Sequence, residues 1–451
     1  MKFLSNAKRY HDAEIMAADF LKEYSQHTEI TFPINPFQML NDVGIVFSVR
    51  EFSKLEGVYI PANGVDDLPV VGINYKRPIT RQRFTAAHEL CHHFRDADKQ
   101  IICPISNKNE IEKFADRFAS ALLMPYRELK RLVSECADAD GNVSLDSVLQ
   151  ISDYFGVSFE SCLFRIAYVI HAISGNTEPT ELKRACRRFK PDAKRIALGM
   201  NNTQLFEQLI NAYARTLSFV PSEHARLVFA NEYLYNDSRM EGVEITQEAA
   251  AEIVTDLRVN MQNSIYCKEE NEAFMSIAGH YAMYQEIFVL PVKKRCSVFD
   301  TMHLHQLLFS HYPYPEYGGK FRQGEPMVLG AKFETLPPEQ IFPAMIELEK
   351  RVTNLFAKRS SIPLSDYIEE AAQIHHALTV IHPFGDGNGR TLRAFLNVLF
   401  VRAGIVPVYV RVEEKEMYYK ALEAADATGN FNQLYEVVFK AILRSSMDLT
   451  L

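Results

Sequence analysis

The stretch "IHPFGDGNGRTLRAF", residues 381–395, decides what the C-terminal half of the chain must build. Gly385, Gly387 and Gly389 make a loop whose backbone can come close to a ligand. Leu392, Phe395, Leu396, Leu399 and Phe400 then recur at helical spacing, and Gly404 is a natural stop. The loop therefore opens a helix N-terminus, which favours phosphate through free N–H groups and the helix dipole. Arg390 and Arg393, three apart in the first turn, are placed for phosphate oxygens. Asp386 suits a Mg²⁺ ion bridging a polyphosphate. His382 carries the only side chain of the stretch whose ordinary pKa suits proton removal near neutrality. A structural histidine beside a glycine turn is the plainer reading. The aspartate, asparagine and two arginines in one motif weigh against it.

Far upstream stands a different chemistry. "RFTAAHELCHHF", residues 83–94, places His88, Glu89 and His92 in an H-E-x-x-H pattern. Residues four apart share a helix face, so His88 and His92 can offer nitrogens to one ion, with Glu89 beside them to polarise a water held there. A catalytic zinc usually takes a third protein ligand. In "NEIEKFADRFASALLMP" (109–125), Ala115, Phe118, Ala119, Leu122 and Leu123 form an apolar stripe that Glu112 extends by one turn. A carboxylate on a core-facing stripe needs a partner, and a cation is a good one. Glu110 and Asp116 compete for that place, and Asp116 could instead support a histidine from behind.

Composition bounds the rest. The chain has 451 residues, enough for two to four domains, with 47% hydrophobic and 24% charged residues. A formal net charge of -8 argues against broad nucleic-acid binding. Seven scattered cysteines, never in C-x-x-C, fit a reducing compartment. No leader-like start and no apolar run of membrane-spanning length is found, so a cytoplasmic protein without membrane contact is expected. "VGIVFSVREF" (43–52) and "VVGINY" (70–75) read as strands separated by the turn formers of "IPANGVDDLP". Beyond residue 125 the pattern is mostly helical. Residues 144–169 read as a helix, a Gly156 turn and a Ser158-capped helix, a spacing that suits helix-turn-helix. The second of these helices offers only Arg165 to a phosphate backbone.

Two resemblances sharpen these readings. "RFTAAHELCHHF" followed by "EKFADRFASALLMP" resembles the ImmA/IrrE family of zinc peptidases over roughly residues 10–170. That likeness implies Zn²⁺ held by His88, His92 and Glu112, with Glu89 as general base. Cys91 stands where the family usually has glycine and is read as packing. "HPFGDGNGRTLR" is similar to the Fic family motif at every defined position, and likeness extends over about 225–445. "GGKFR" (318–322) and "GAKFETLPPEQIFPAM" (330–345) resemble the family's approach to, and formation of, a flap hairpin. The family transfers AMP from ATP to a protein hydroxyl. The resemblance implies His382 as base, Asp386 on Mg²⁺, the Gly387–Asn388–Gly389 backbone on the α-phosphate, and Arg390 and Arg393 on the phosphates. Many members carry a self-inhibitory helix with the pattern [ST]-x-x-x-E-[GN]. In "YNDSRMEGVEIT" (235–246), Glu241-Gly242 fits it, while Asp237 replaces the Ser or Thr, and an Asp can still cap the helix. Glu241 would then pair with Arg393 and hold the enzyme back.

The expected architecture is an α+β metallopeptidase-like domain (1–170), a helical connector (171–224) and a mostly α-helical Fic domain with a small β-hairpin flap (225–451). An inhibitory helix is expected near 237–242. The function read from this is a bifunctional, bacterial-type cytosolic regulator in stress or toxin–antitoxin control. It would transfer AMP to a Ser, Thr or Tyr hydroxyl of a target protein and cut a regulatory protein. Oligomeric state is left open. One alternative keeps the Fic site but transfers UMP, phosphate or phosphocholine. Another is a DNA-binding or scaffolding regulator with degenerate sites, which salt-sensitive operator binding would reveal.

Overall fold

The computed structural model describes residues 3–449 except 5–6, 65, 98–99, 105–108, 262, 268–270, 293–295 and 325–334. The chain divides into two compact units, Met1–Tyr213 and Ala214–Leu451. The division falls after the helices Pro179–Phe189, Pro191–Ala197 and Thr203–Ala212, so the segment expected as a connector clusters mostly with the first unit.

The first unit is α+β. Its sheet has the order β1-β3-β2-β4, with β1 (Val46–Arg50), β2 (Leu55–Ile60), β3 (Val70–Asn74) and β4 (Ile101–Pro104). β1 runs parallel to β3, while β2 is antiparallel to both β3 and β4. The two strands expected from β-branched runs are β1 and β3; β2 and β4 carry weaker patterns and were not anticipated. The H-E-x-x-H helix, Ile79–Arg95, packs on β2 and β3 and against the helix Glu110–Leu123. The predicted stripe of that second helix, Ala115, Phe118, Ala119, Leu122 and Leu123, is buried throughout. Phe20, from the helix Ala13–Tyr24, meets Phe94 and Phe118 and seals the same core.

A buried arginine locks the H-E-x-x-H helix in place. Arg83 is fully buried and donates to the carbonyls of Ile34 (2.7 Å), Phe155 (3.3 Å) and Gly156 (3.0 Å), and to the side chain of Gln208. Arg83→Ala is expected to lower the unfolding free energy of this unit by about 3 kcal/mol, because buried acceptors lose a charged donor. An unshifted urea midpoint would overturn that expectation. Gly156, at φ +62°, ends the helix Leu145–Phe155, and Ser158 caps the next helix, Phe159–Arg165, through the Ser161 N–H. Arg165 turns inward: it pairs with Glu14 at 2.6 Å and donates to the Met124 carbonyl at 2.9 Å. The one basic residue of that helix is therefore not presented to a phosphate backbone.

The second unit is helical. At its centre lies the helix Asn388–Arg402, buried at almost every position because it is enclosed by the helices Glu272–Val289, Asp300–Leu308 and Leu364–Ile381. The helix Glu223–Met240 starts at the Ser222 cap, not near 237. Residues 325–334, which hold most of a hairpin expected near 328–338, lie outside the described residues. From Pro338 to Lys358 the chain is a helix, so the C-terminal part of the stretch read as a flap is not hairpin. Among the described residues, no helix is long and apolar enough to cross a membrane.

Candidate functional site

In the first unit, His88, Glu89, His92 and Glu112 are all buried. Asn109 caps the second helix and accepts from the Glu112 N–H, which sets the Glu112 carboxylate in the first turn, where the helix dipole favours a negative charge. The Nε2 atoms of His88 and His92 lie 3.0 Å apart. Glu112 reaches both, at 3.3 Å from His88 and 3.4 Å from His92. Zinc bonds of about 2.0–2.1 Å at tetrahedral angles separate donor atoms by about 3.3 Å, so these three fit one ion. Both oxygens of Glu89 have no hydrogen-bond partner, which is costly in a buried site without a cation.

The outer partners are also in place. His88 Nδ1 lies 2.9 Å from Asp116 and His92 Nδ1 lies 3.0 Å from Asp96, which orients Nε2 of each ring towards Glu112. Asp116 thus lies behind the His88 ring, at its Nδ1, and Glu110 is exposed and paired with Lys113. Burial opposes charge on His92, yet hydrogen bonds to Asp96 and Glu112 raise its pKa to about 9. His88 is raised likewise, burial being outweighed by Asp116 and Glu112. Burial would raise Glu112 too, but the two histidines hold it well below the usual carboxylate range. Glu89 is raised, mainly by burial. A divalent cation would replace the protons that this cluster otherwise gathers. Cys91 is buried and outside the donor set, as packing requires. Cys103 joins that set, a residue the sequence reading passed over.

In the second unit, His382 ends the helix Leu364–Ile381 in a left-handed conformation (φ 47°), its N–H still bonded to the Leu378 carbonyl. Asn388 closes the loop behind it, accepting from the Phe384 N–H at 3.0 Å and donating to the Phe384 carbonyl at 2.7 Å. Gly387 (φ 72°) turns the chain into the next helix, and its N–H binds Asp386 Oδ1 at 2.6 Å. Asp386 is exposed. Arg322, from "GGKFR", is buried and grips the loop: it donates to the carbonyls of His382 (2.7 Å) and Leu336, and its own N–H donates to the Pro383 carbonyl. His305 accepts from the Gly319 N–H at Nδ1 and donates from Nε2 to the Asp386 carbonyl, 2.9 Å each, which fixes a neutral tautomer.

The two arginines are buried and engaged. Arg390 donates to Ser276 Oγ at 2.7 Å. Arg393 is held by two carboxylates, through Nε by Asp237 and through Nη2 by Glu241 at 2.5 Å. Asp237 is no cap. It lies inside its helix, buried, and its other oxygen is 3.1 Å from His280 Nε2. A side chain at Gly389 would strike Glu241 Oε1, so the Glu241 carboxylate rests on the first turn of the helix, where an anion would bind. His382 is half-buried, and burial, with Arg322 nearby, lowers its pKa. A base of that kind stays neutral below the ordinary histidine range.

Burial lowers His305 to about 4 and His375 to about 3. Both stay neutral in the fold and would take up protons on unfolding below about pH 6.5. Stability of this unit is therefore expected to fall as pH drops from about 6.5 towards 4, by about 1.4 kcal/mol per pH unit for each histidine. Denaturant titrations at stepped pH read the slope directly; a flat profile would overturn it.

One unit thus holds a buried two-histidine, one-carboxylate cluster, and the other a histidine–glycine loop that opens a helix. Residues 43–167 match the IrrE N-terminal-like domain, and residues 296–400 match the Fic/DOC family. The chain is similar to the protein adenylyltransferase fic-1 of Caenorhabditis briggsae, 32% identical over 29% of this chain and 24% of that protein. It is also similar to the protein adenylyltransferase Fic of Nematostella vectensis, 27% identical over 43% of each. The chain thus spans less than half the length of these curated relatives. Both are animal proteins, which lends nothing to the bacterial-type assignment. A solved structure of Fic-1 from Caenorhabditis elegans aligns with 68% of this chain and 86% of its own, at 20% identity and a TM-score of 0.45.

Proposed function

We propose that the second unit transfers AMP from ATP to a hydroxyl group of a protein and that Glu241 restrains it. The observation that carries this reading is the Glu241 carboxylate lying over Gly389 and bonded to Arg393, at the helix N-terminus that follows His382. With Glu241 displaced, Arg390, Arg393 and the N–H groups of the first turn bind the phosphates. His382, neutral at physiological pH, takes the proton from the target hydroxyl as its oxygen attacks the α-phosphorus and pyrophosphate departs. Asp386 would hold Mg²⁺, which supplies charge neutralisation for the phosphates. The names of the matched relatives support AMP as the group transferred. A nucleotide panel labelled separately on the α- and γ-phosphates tests the choice, and label from UTP or from the γ-position would replace it.

The first unit is, in the same proposal, a zinc-dependent peptidase acting on a regulatory protein. His88, His92 and Glu112 would hold Zn²⁺, which supplies a Lewis acid. Glu89, buried beside them with both oxygens unpartnered, is the group that would hold and move the proton. Among the described residues no disulfide joins two cysteines, which supports a reducing, cytoplasmic setting. Stoichiometric zinc in the purified chain, lost in His88→Ala, tests this half.

A further inference from the structure

The register of the sheet brings a thiol to the metal cluster. β4 pairs with β2 so that Cys103 sits opposite Gly57. A side chain at position 57 would strike Glu89 Oε1, so the strand backbone passes directly over the Glu89 carboxylate. The Cys103 side chain is buried there, with Sγ 3.9 Å from Glu112 Oε1. Donor atoms of His88, His92, Cys103 and Glu112 all lie within 4.8 Å of one another. Both oxygens of Glu89 remain without a hydrogen-bond partner in the same buried space. Two nitrogens, one oxygen and one sulfur are a donor set that suits zinc.

We infer that Cys103 is a fourth metal ligand, so that the resting centre is closed by a thiolate instead of open to water. This rests on the metal-centre reading of the first unit. On binding, the S–H bond breaks, the proton passes to solvent and the sulfur lone pair forms the bond to the ion. Four protein ligands are the mark of a closed site, whereas a catalytic zinc keeps one position free. Glu89 then has no water to act on until Cys103 leaves. The thiol is a gate, and the peptidase is held back by its own strand.

Cobalt substitution of the full chain tests this, because thiolate bound to Co²⁺ gives an intense near-ultraviolet charge-transfer band that nitrogen and oxygen donors do not. The expected result is a stoichiometric Co²⁺ complex with that band, which disappears in Cys103→Ser while the weaker visible bands persist. Zinc affinity in Cys103→Ser should fall by about tenfold or more, since even outer partners of ligands are worth that much. Hydrolysis of fluorescent casein should rise. Visible cobalt bands in the wild type without the charge-transfer band would overturn the inference and leave the metal centre standing. A band that survives in Cys103→Ser would also overturn it. Failure to bind Co²⁺ or Zn²⁺ at all would remove the metal centre itself, a separate outcome. The wild-type spectrum is decisive by itself, so the test does not hang on the variant folding.

Discussion

Incubated with Mg²⁺ and ATP labelled on the α-phosphate, the Glu241→Gly protein is expected to label protein about 10- to 150-fold faster than the wild type. The size follows from one hydrogen bond between charged groups, about 1.5–3 kcal/mol, that the nucleotide no longer has to displace. Removing Glu241 does not set Arg393 adrift, because Asp237 still holds its Nε from inside the helix. The variant therefore frees Nη2 for phosphate and keeps the guanidinium in place. Adding His382→Ala to Glu241→Gly should lower the rate by about 10²- to 10⁴-fold, the usual worth of a general base. The pH profile of the single variant should stay flat down to about pH 6.5 and fall only below it, because the lowered His382 pKa keeps the base neutral there. Equal labelling in wild type and Glu241→Gly would sink the restraint. Undiminished labelling in the double variant would sink His382 as the base.

Much of this arrangement could be read from local sequence, and the limits have a physical pattern. His382, Asp386 and Gly387 lie within one short loop, and H-E-x-x-H within one helix turn, so spacing alone puts their atoms together. Glu112 needed one more step, from its place on an apolar stripe, and the structure buries it there. What escaped the reading depends on pairings between distant segments. Cys103 enters the metal cluster through a strand register, and nothing in its local sequence marks β4 as a neighbour of the H-E-x-x-H helix. Arg322 looked like part of an approach to the flap, yet its buried side chain ties down the loop backbone behind His382. Asp237 departs from the family pattern by one carboxylate. That departure made a cap the modest expectation, whereas burial against Arg393 and His280 gives the residue a second anionic grip on the same arginine. The segment 171–224 reads as a connector because it is weakly patterned and partly basic. Gln208 nevertheless reaches the Arg83 anchor, a contact that no periodicity encodes.

Zinc added to chelator-treated protein is expected to stabilise the first unit by about 2.7 kcal/mol when its free concentration is about a hundred times the Kd. The reason lies in the charges left behind. Without a cation, Glu112 and Glu89 share a buried site with two histidines, and both Glu89 oxygens lack a hydrogen-bond partner. A divalent ion satisfies these groups only in the folded state, where the two helices bring His88, His92 and Glu112 together. His92→Ala removes one donor and should abolish the zinc-dependent rise in the thermal transition. Glu89→Gln provides the contrast, because it leaves all the donor atoms in place. It should keep the zinc-dependent stabilisation, and when combined with Cys103→Ser it should lose about 10²- to 10⁴-fold in casein hydrolysis relative to Cys103→Ser alone, the worth of the proton-transferring group. Loss of both properties in Glu89→Gln would make that residue structural. Hydrolysis that survives undiminished would place the chemistry elsewhere. A wild-type thermal transition indifferent to zinc would mean that the cluster is held by its own protons, with Glu112 ionised between two charged histidines, and that the first unit uses its H-E-x-x-H helix without a metal.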